Sequence, residues 1–242
     1  MNALAVTIDL DWACEAAIEE TLDAFRELRV PVTVFATHRS PRVEAALGEL
    51  EVGVHPYFAS DSSHGATIDE VVGHVLGLPH NLAAFRCHRF ASCNGSREAL
   101  ARAGFRISSN VCTDLEVLPP FADRYGCLEV PIFMEDGGFL FRGHPLAIEG
   151  SLARGLEQPG TKVIVVHPMH FALNTPHFDY MAAIKRTTTR ERWRSMTRRD
   201  LDALRWRSRG IRDLVLEVVS AAGTHTTLGS VRHEGPTALS LA

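Results

Sequence analysis

Asp9 and Asp11 stand one residue apart, directly after the apolar run ALAVTID. Two crowded carboxylates repel, so the pair makes chemical sense if a cation shares it or if one holds a proton. The plainer alternative is that Asp11 caps a helix starting near Trp12 while Asp9 bonds loop amides. His55 closes a second β-rich run, Glu51–Val54, and His64 follows in the polar stretch Ser62-Ser63-His64-Gly65. One carboxylate oxygen and two imidazoles, with a fourth position open, are what a catalytic zinc takes. His167 follows Val163–Val166 and opens His167-Pro168-Met169-His170. An imidazole, with its pKa near 6.5, is suited to move protons at neutral pH, and His170 is expected to support it or pack in the core. Arg86 leaves Ala83-Ala84-Phe85. A buried arginine needs a carboxylate, and Asp9 is the partner expected.

These side chains are up to 158 residues apart (167 − 9), so something must gather them. Short apolar runs at 3–9, 30–36, 51–54, 83–86, 105–108, 128–133 and 162–166 read as buried strands. Between them, helical spacing is read over 18–28, 41–50, 67–78 and 96–103, and again over 201–218 as a closing helix. Strands alternating with helices, apolar throughout rather than every second residue, predict a parallel sheet covered by helices. About seven such units in 242 residues favour a closed barrel over an open sheet. In such barrels the C-terminal strand ends share one mouth, where chemistry sits. Asp9, Asp11, His55, Arg86, His88 and His167 all fall at strand ends. Residues 110–151 read as loops capping one end of a domain spanning 1–223, with 224–242 a loosely held tail.

Composition narrows the class further. With 45% apolar and 22% charged residues the chain is globular, and its length needs no metal merely to fold. Any metal here is therefore expected to serve chemistry. A net charge of −4 provides no overall basic field for nucleic acid. The Arg-rich stretch Arg186–Arg212 reads as a solvated helix face that can also meet sugar phosphates or another chain. Five cysteines without a CxxC pair suggest a reducing compartment, and no leader or membrane-spanning run is visible, so a cytoplasmic protein is expected. His38, His74, His80, His177, His225 and His233 are assigned to surface or packing.

Thr7-Ile8-Asp9-Leu10-Asp11 resembles the first motif of the NodB-homology polysaccharide deacetylases (carbohydrate esterase family 4). Glu51-x-Gly53-x-His55 resembles the start of their second motif, Phe85-Arg86 their third and Val163–His167 their fifth, in order along residues 3–170. The runs GVHPYF, SSHG, FRCHRF and HPMHFALNT are most similar to the deacetylase-like proteins of bacterial O-antigen loci, the WbmS type. The resemblance implies a distorted TIM-like (β/α)7 barrel in a single domain. It implies Asp9 as the general base toward water, Asp11 and His55 as metal ligands, Arg86 orienting Asp9, and His167 protonating the leaving amine. The family's second metal histidine lies four residues after the first, where this chain has Ala59. His64 is expected to replace it, with His88 in reserve. The substrate implied is an N-acetylated sugar, nucleotide- or lipid-linked or part of an O-antigen chain, and the cofactor a divalent metal, with zinc expected. Two rivals stand beside this reading. Ala59 would suit an inactive carbohydrate-binding barrel. A different metal-dependent C–N hydrolase would need His-x-His where Asp9-Leu10-Asp11 stands.

Overall fold

The computed structural model describes residues 2–232; the expectations for His233 and the rest of 233–242 lie outside the described residues. The apolar runs become strands covered on both faces, as parallel strands require. β1 (Asn2–Asp9) is buried at every position after its first, and β2 (Val32–Ala36) at every position. β3 (Glu51–Val54), β4 (Ala84–Phe85) and β5 (Ile107–Ser108) follow, separated by α1 (Glu15–Glu27), α2 (Pro41–Ala45), α3 (Ile68–Leu76) and α4 (Asn94–Arg102). A hairpin of β6 (Phe121–Ala122) and β7 (Leu128–Glu129) leads to β8 (Ile132–Glu135), α5 (Asp136–Phe141), α6 (Gly150–Glu157), β9 (Gly160–Val166) and α7 (Pro168–Ala172). The chain continues through α8 (Phe178–Thr187), α9 (Arg190–Arg194), α10 (Arg198–Leu204) and α11 (Ile211–Ala221) to β10 (His225–Thr226).

The helices form for local reasons. α1 buries Ala17, Ile18, Thr21, Leu22 and Phe25, one stripe at spacings of three and four. α3 opens on a reciprocal Thr67–Glu70 capping box. Such helices cover a sheet ordered β7-β5-β4-β3-β2-β1-β9-β8, parallel throughout, with β6 antiparallel at its edge. Gly53 lets β3 and β4 approach, because a Cβ there would meet the Ala84 carbonyl oxygen at 2.6 Å. Residues beyond β5 close the ring against β8. Cys112 bridges Ile132, and the Ile132 amide donates to the Val111 carbonyl at 2.7 Å. The result is the distorted seven-stranded barrel (β1–β5, β8 and β9), with one mouth at the C-terminal strand ends.

The structure differs from expectation in three places. The segment 110–151 is not only a cap, since it supplies barrel strand β8 and helix α5. The closing helix is two helices, α10 and α11, broken where Trp206 bonds back to the Leu173 carbonyl. The tail is also built in as far as Arg232. β10 pairs in parallel with Leu4 and Ala5, and Leu228 is fully buried. No described helix is long and apolar enough to cross a membrane.

Candidate active site

Asp9 ends β1 and is buried at the barrel mouth. Arg86, just past β4 and fully buried, donates from Nη1 to Asp9 Oδ1 at 2.8 Å and to Thr7 Oγ1 at 2.7 Å. Its Nε and Nη2 donate to the Ser109 carbonyl and hydroxyl at 3.0 and 2.8 Å. The guanidinium is thus held on three sides and cannot swing away, so Asp9 presents a fixed carboxylate. Its other oxygen, Oδ2, stands 3.8 Å from His55 Nδ1.

Asp11, His55 and His88 form a second group, with one ligand-type atom of each within 4.8 Å of the others. His55 Nε2 and His88 Nδ1 lie 3.1 and 3.0 Å from Asp11 Oδ1. Burial would raise the Asp11 carboxyl, but His167, His55 and His88 outweigh it and hold it well below the usual carboxylate range. His55 is almost completely buried, and neither of its ring nitrogens makes a well-directed hydrogen bond among the described residues, although Nε2 lies close to Asp11. Buried polar atoms are nearly always satisfied, so ring nitrogens without a well-directed partner are suited to take a ligand. The donor set, one carboxylate and two imidazoles, fits a divalent transition metal.

His64 does not join this group. Its Nδ1 accepts from the Tyr57 amide at 3.2 Å and its Nε2 donates to the Thr37 carbonyl at 2.9 Å, which uses both nitrogens. It stacks on His74 at 4.3 Å and is a buried structural residue. His88 occupies the position expected of His64. A left-handed turn brings it there, with Arg89 and Phe90 both at positive φ (57° and 55°). Asp11 and Trp12 form a matching left-handed pair across the mouth (45° and 53°). Such strain in non-glycine residues clusters at functional sites.

His167 follows β9 and faces the same opening. Its Nε2 lies 3.5 Å from Asp11 Oδ2, while its Nδ1 is 2.5 Å from Asp136 Oδ1. The His167 amide also donates to Asp136 Oδ2 at 2.7 Å. Burial would lower the imidazole, but Asp136 and then Asp11 raise it well above its ordinary value. Asp136 is fully buried, and sequence reasoning missed it. Its signal was present, because Glu135-Asp136 ends the apolar run Val130–Met134 as Asp9 ends β1. The Gly137-Gly138 that follow give the stretch the look of a loop, but they start α5, and their amides donate to Glu135. A Cβ on Gly137 would stand 2.7 Å from that carboxylate. His170 lies beside His167, pushed to about 4 by burial, with its Nδ1 unpartnered among the described residues.

Asp9, Asp11, His55, His88 and His167 open on one cavity of about 440 Å³, also walled by Glu135, Phe141, Met169, Phe178 and Trp193. The family model of the WbmS-like polysaccharide deacetylases matches residues 6–185. The chain belongs to that family. As a WbmS-like polysaccharide deacetylase it is a hydrolase of carbohydrate amide bonds. The solved structure of a Bordetella bronchiseptica polysaccharide deacetylase, described as involved in O-antigen biosynthesis, is similar at 22% identity over 90% of each chain, with a TM-score of 0.78. A Mycobacterium smegmatis polysaccharide deacetylase is similar at 18% identity over 69% of this chain and 76% of its own, with a TM-score of 0.50. No curated protein matches the sequence.

Proposed function

We propose that this WbmS-like protein is a metal-dependent N-deacetylase of an acetamido sugar, acting in the assembly of a surface polysaccharide such as an O-antigen. The observation that carries this reading is His55, a buried imidazole whose two nitrogens face Asp9 and Asp11 without a well-directed hydrogen bond. Asp11, His55 and His88 would hold the metal, with zinc the best match to one oxygen and two nitrogen donors. When bound, such an ion supplies Lewis-acid polarisation of the acetyl carbonyl.

The chain's own residues supply the proton transfers. Asp9, immobilised by Arg86, takes a proton from the attacking water as its oxygen bonds to the carbonyl carbon. Asp136 fixes the proton of His167 on Nδ1, which turns Nε2 toward the cavity. From Nε2, His167 gives a proton to the nitrogen as the C–N bond breaks, and acetate and the free amine leave. Leu10 and Met169 line this part of the cavity with apolar surface.

The test has two readouts. Elemental analysis of the purified chain after zinc loading should find about one metal per chain, and none in Asp11→Ala or His55→Ala. Acetate release from acetamido sugars should be lost in Asp9→Asn while its metal stays. Full metal occupancy in Asp11→Ala and His55→Ala would overturn the ligand set, and undiminished turnover in Asp9→Asn would overturn the base.

A further inference from the structure

Beside the catalytic cavity lies a second chamber of about 300 Å³, and the two share Asp11, His88, Arg89, Lys185 and Trp193. One ligand can therefore occupy both. The second chamber is walled by four cations, Arg89, Lys185, Arg190 and Arg194. Its carboxylates are Asp11, already committed to the histidines, and Asp61. Asp61 accepts from the Tyr57 hydroxyl at 2.5 Å and lies 4.0 Å from Arg190. Arg89, Lys185 and Arg194 make no ion pair among the described residues. In the same arginine-rich segment Arg192, Arg198, Arg205, Arg209 and Arg212 each pair with a carboxylate, while Arg186, Arg199 and Arg207 do not, so it is the convergence on one chamber that sets these cations apart.

Four cations against Asp11 and Asp61 leave a surplus of two positive charges (4 − 2). A single sugar carboxylate would neutralise one of them, whereas a phosphate monoester or a pyrophosphate carries two or more. Lys185, Arg190 and Arg194 reach the chamber from the exposed side, and Lys185 and Arg89 are positioned by their surroundings. Lys185 Nζ sits 5.4 Å from the centre of the Trp193 ring. The left-handed turn that delivers His88 to the metal group delivers Arg89 to this chamber. Trp12 and Trp193 add flat apolar faces where a sugar ring or a base can stack.

Resting on the deacetylase reading, we propose that this chamber is a phosphate subsite, so that the acetamido sugar arrives carrying a phosphate or pyrophosphate held by Arg89, Lys185, Arg190 and Arg194. Charge-assisted, forked contacts of this kind are what arginine makes to phosphate.

Calorimetry on the zinc-loaded protein with N-acetylglucosamine 1-phosphate and with UDP-N-acetylglucosamine tests this. Both should bind more tightly than N-acetylglucosamine, and their affinity should fall with salt. The double variant Arg190→Gln/Arg194→Gln should weaken both at least tenfold, with its thermal melt confirming the fold. Arg192→Gln, whose arginine pairs with Asp200 outside the chamber, should not. Equal binding by wild type and the double variant would overturn the subsite and place the phosphate elsewhere. N-acetylglucosaminyl pyrophosphoryl farnesol, compared with the uridine compound, separates a lipid carrier from a nucleotide carrier. Both carriers share the proposed chemistry, and the tighter binder names the carrier. Acetate release is measured in parallel on these compounds and on N,N'-diacetylchitobiose. Equal turnover of neutral and phosphorylated sugars would end the phosphate proposal and leave the deacetylase reading standing. Variant-sensitive phosphate binding without acetate from any of them would do the reverse.

Discussion

His64 and His88 look alike in the sequence, each a histidine in a polar stretch near a strand end, and geometry separates them. Replacing His88 with alanine should cost most of the bound zinc, read by elemental analysis. His64→Ala should keep the zinc and lower the melting temperature, because the Thr37 carbonyl and Tyr57 amide lose their partner. Burial, then His74, holds the His64 imidazole down at about 4. An unfolded chain therefore takes up this proton first as pH falls below about 6.5. The stability that neutral His64 contributes is full above that value and is lost between about 6.5 and 4. His64→Gln should flatten this part of the urea-midpoint profile, and an unchanged profile would count against the assignment. Asp136→Asn should keep the metal and lower kcat by about 10²–10⁴-fold, the range for a lost proton-transfer partner. The convergence of Asp9, Asp11, His55, Arg86 and His167 on one mouth was legible because each stands at or just past the end of an apolar run. Asp136 was not, because two glycines after it hide the helix start. His88 could not be chosen over His64, because the choice depends on a left-handed turn in non-glycine residues that no local pattern announces.

At the scale of elements, the buried runs read well. β3 falls at the expected residues, and β1, β2 and β9 fall within two residues of expectation at either end. Runs of Val, Ile and Leu with no polar alternation have few other uses in a chain this size. The helices after β9 read less well, because one apolar periodicity spans α10 and α11 although the chain turns between them. Long-range pairing holds that turn in place. Glu20 on α1 accepts from Arg205 in the turn, at 2.5 and 2.7 Å, and from Arg212 on α11. Burial would raise the Glu20 carboxyl, but Arg205 and Arg212 pull it below its usual value. The clamp is therefore complete above about pH 4.5 and is lost as pH falls through the lowered pKa. Glu20→Gln should cost about 1 kcal/mol at neutral pH, typical of a partly exposed ion pair. It should also remove this contribution to acid unfolding below about pH 4.5, both measurable by urea titration. Equal stability of wild type and variant at pH 7 would mean that packing alone sets the turn.

Across the whole molecule, a net charge of −4 surrounds a mouth whose outer chamber is basic. That asymmetry draws an anionic ligand to the one end where the strands deliver Asp9, His55 and His167. Barrel closure was legible only in outline, since the ring is completed by irregular pairing of residues 111–113 with β8. The C-terminal segment was misjudged for a similar reason. His225-Thr226 is too short to show strand periodicity, and its partner, Leu4–Ala5, is more than 200 residues away. Once paired, the segment closes the end of the barrel opposite the site. Leu228 enters the core beside Ala5 and Phe35, and Glu51 accepts from Thr227 Oγ1 at 2.6 Å and from the Gly229 amide at 2.9 Å. A chain ending at Gly223 should lose about 2–5 kcal/mol, the cost of removing a large buried aliphatic and leaving its cavity. It should melt several degrees lower, and its folded fraction should bind zinc as the full chain does, because Asp11, His55 and His88 stand at the other end of the strands. A companion ending at Arg232 isolates the contribution of residues 224–232. If the shorter chain melts with the companion, the segment is not part of the barrel's core; if it loses zinc while folded, the two ends of the barrel are coupled.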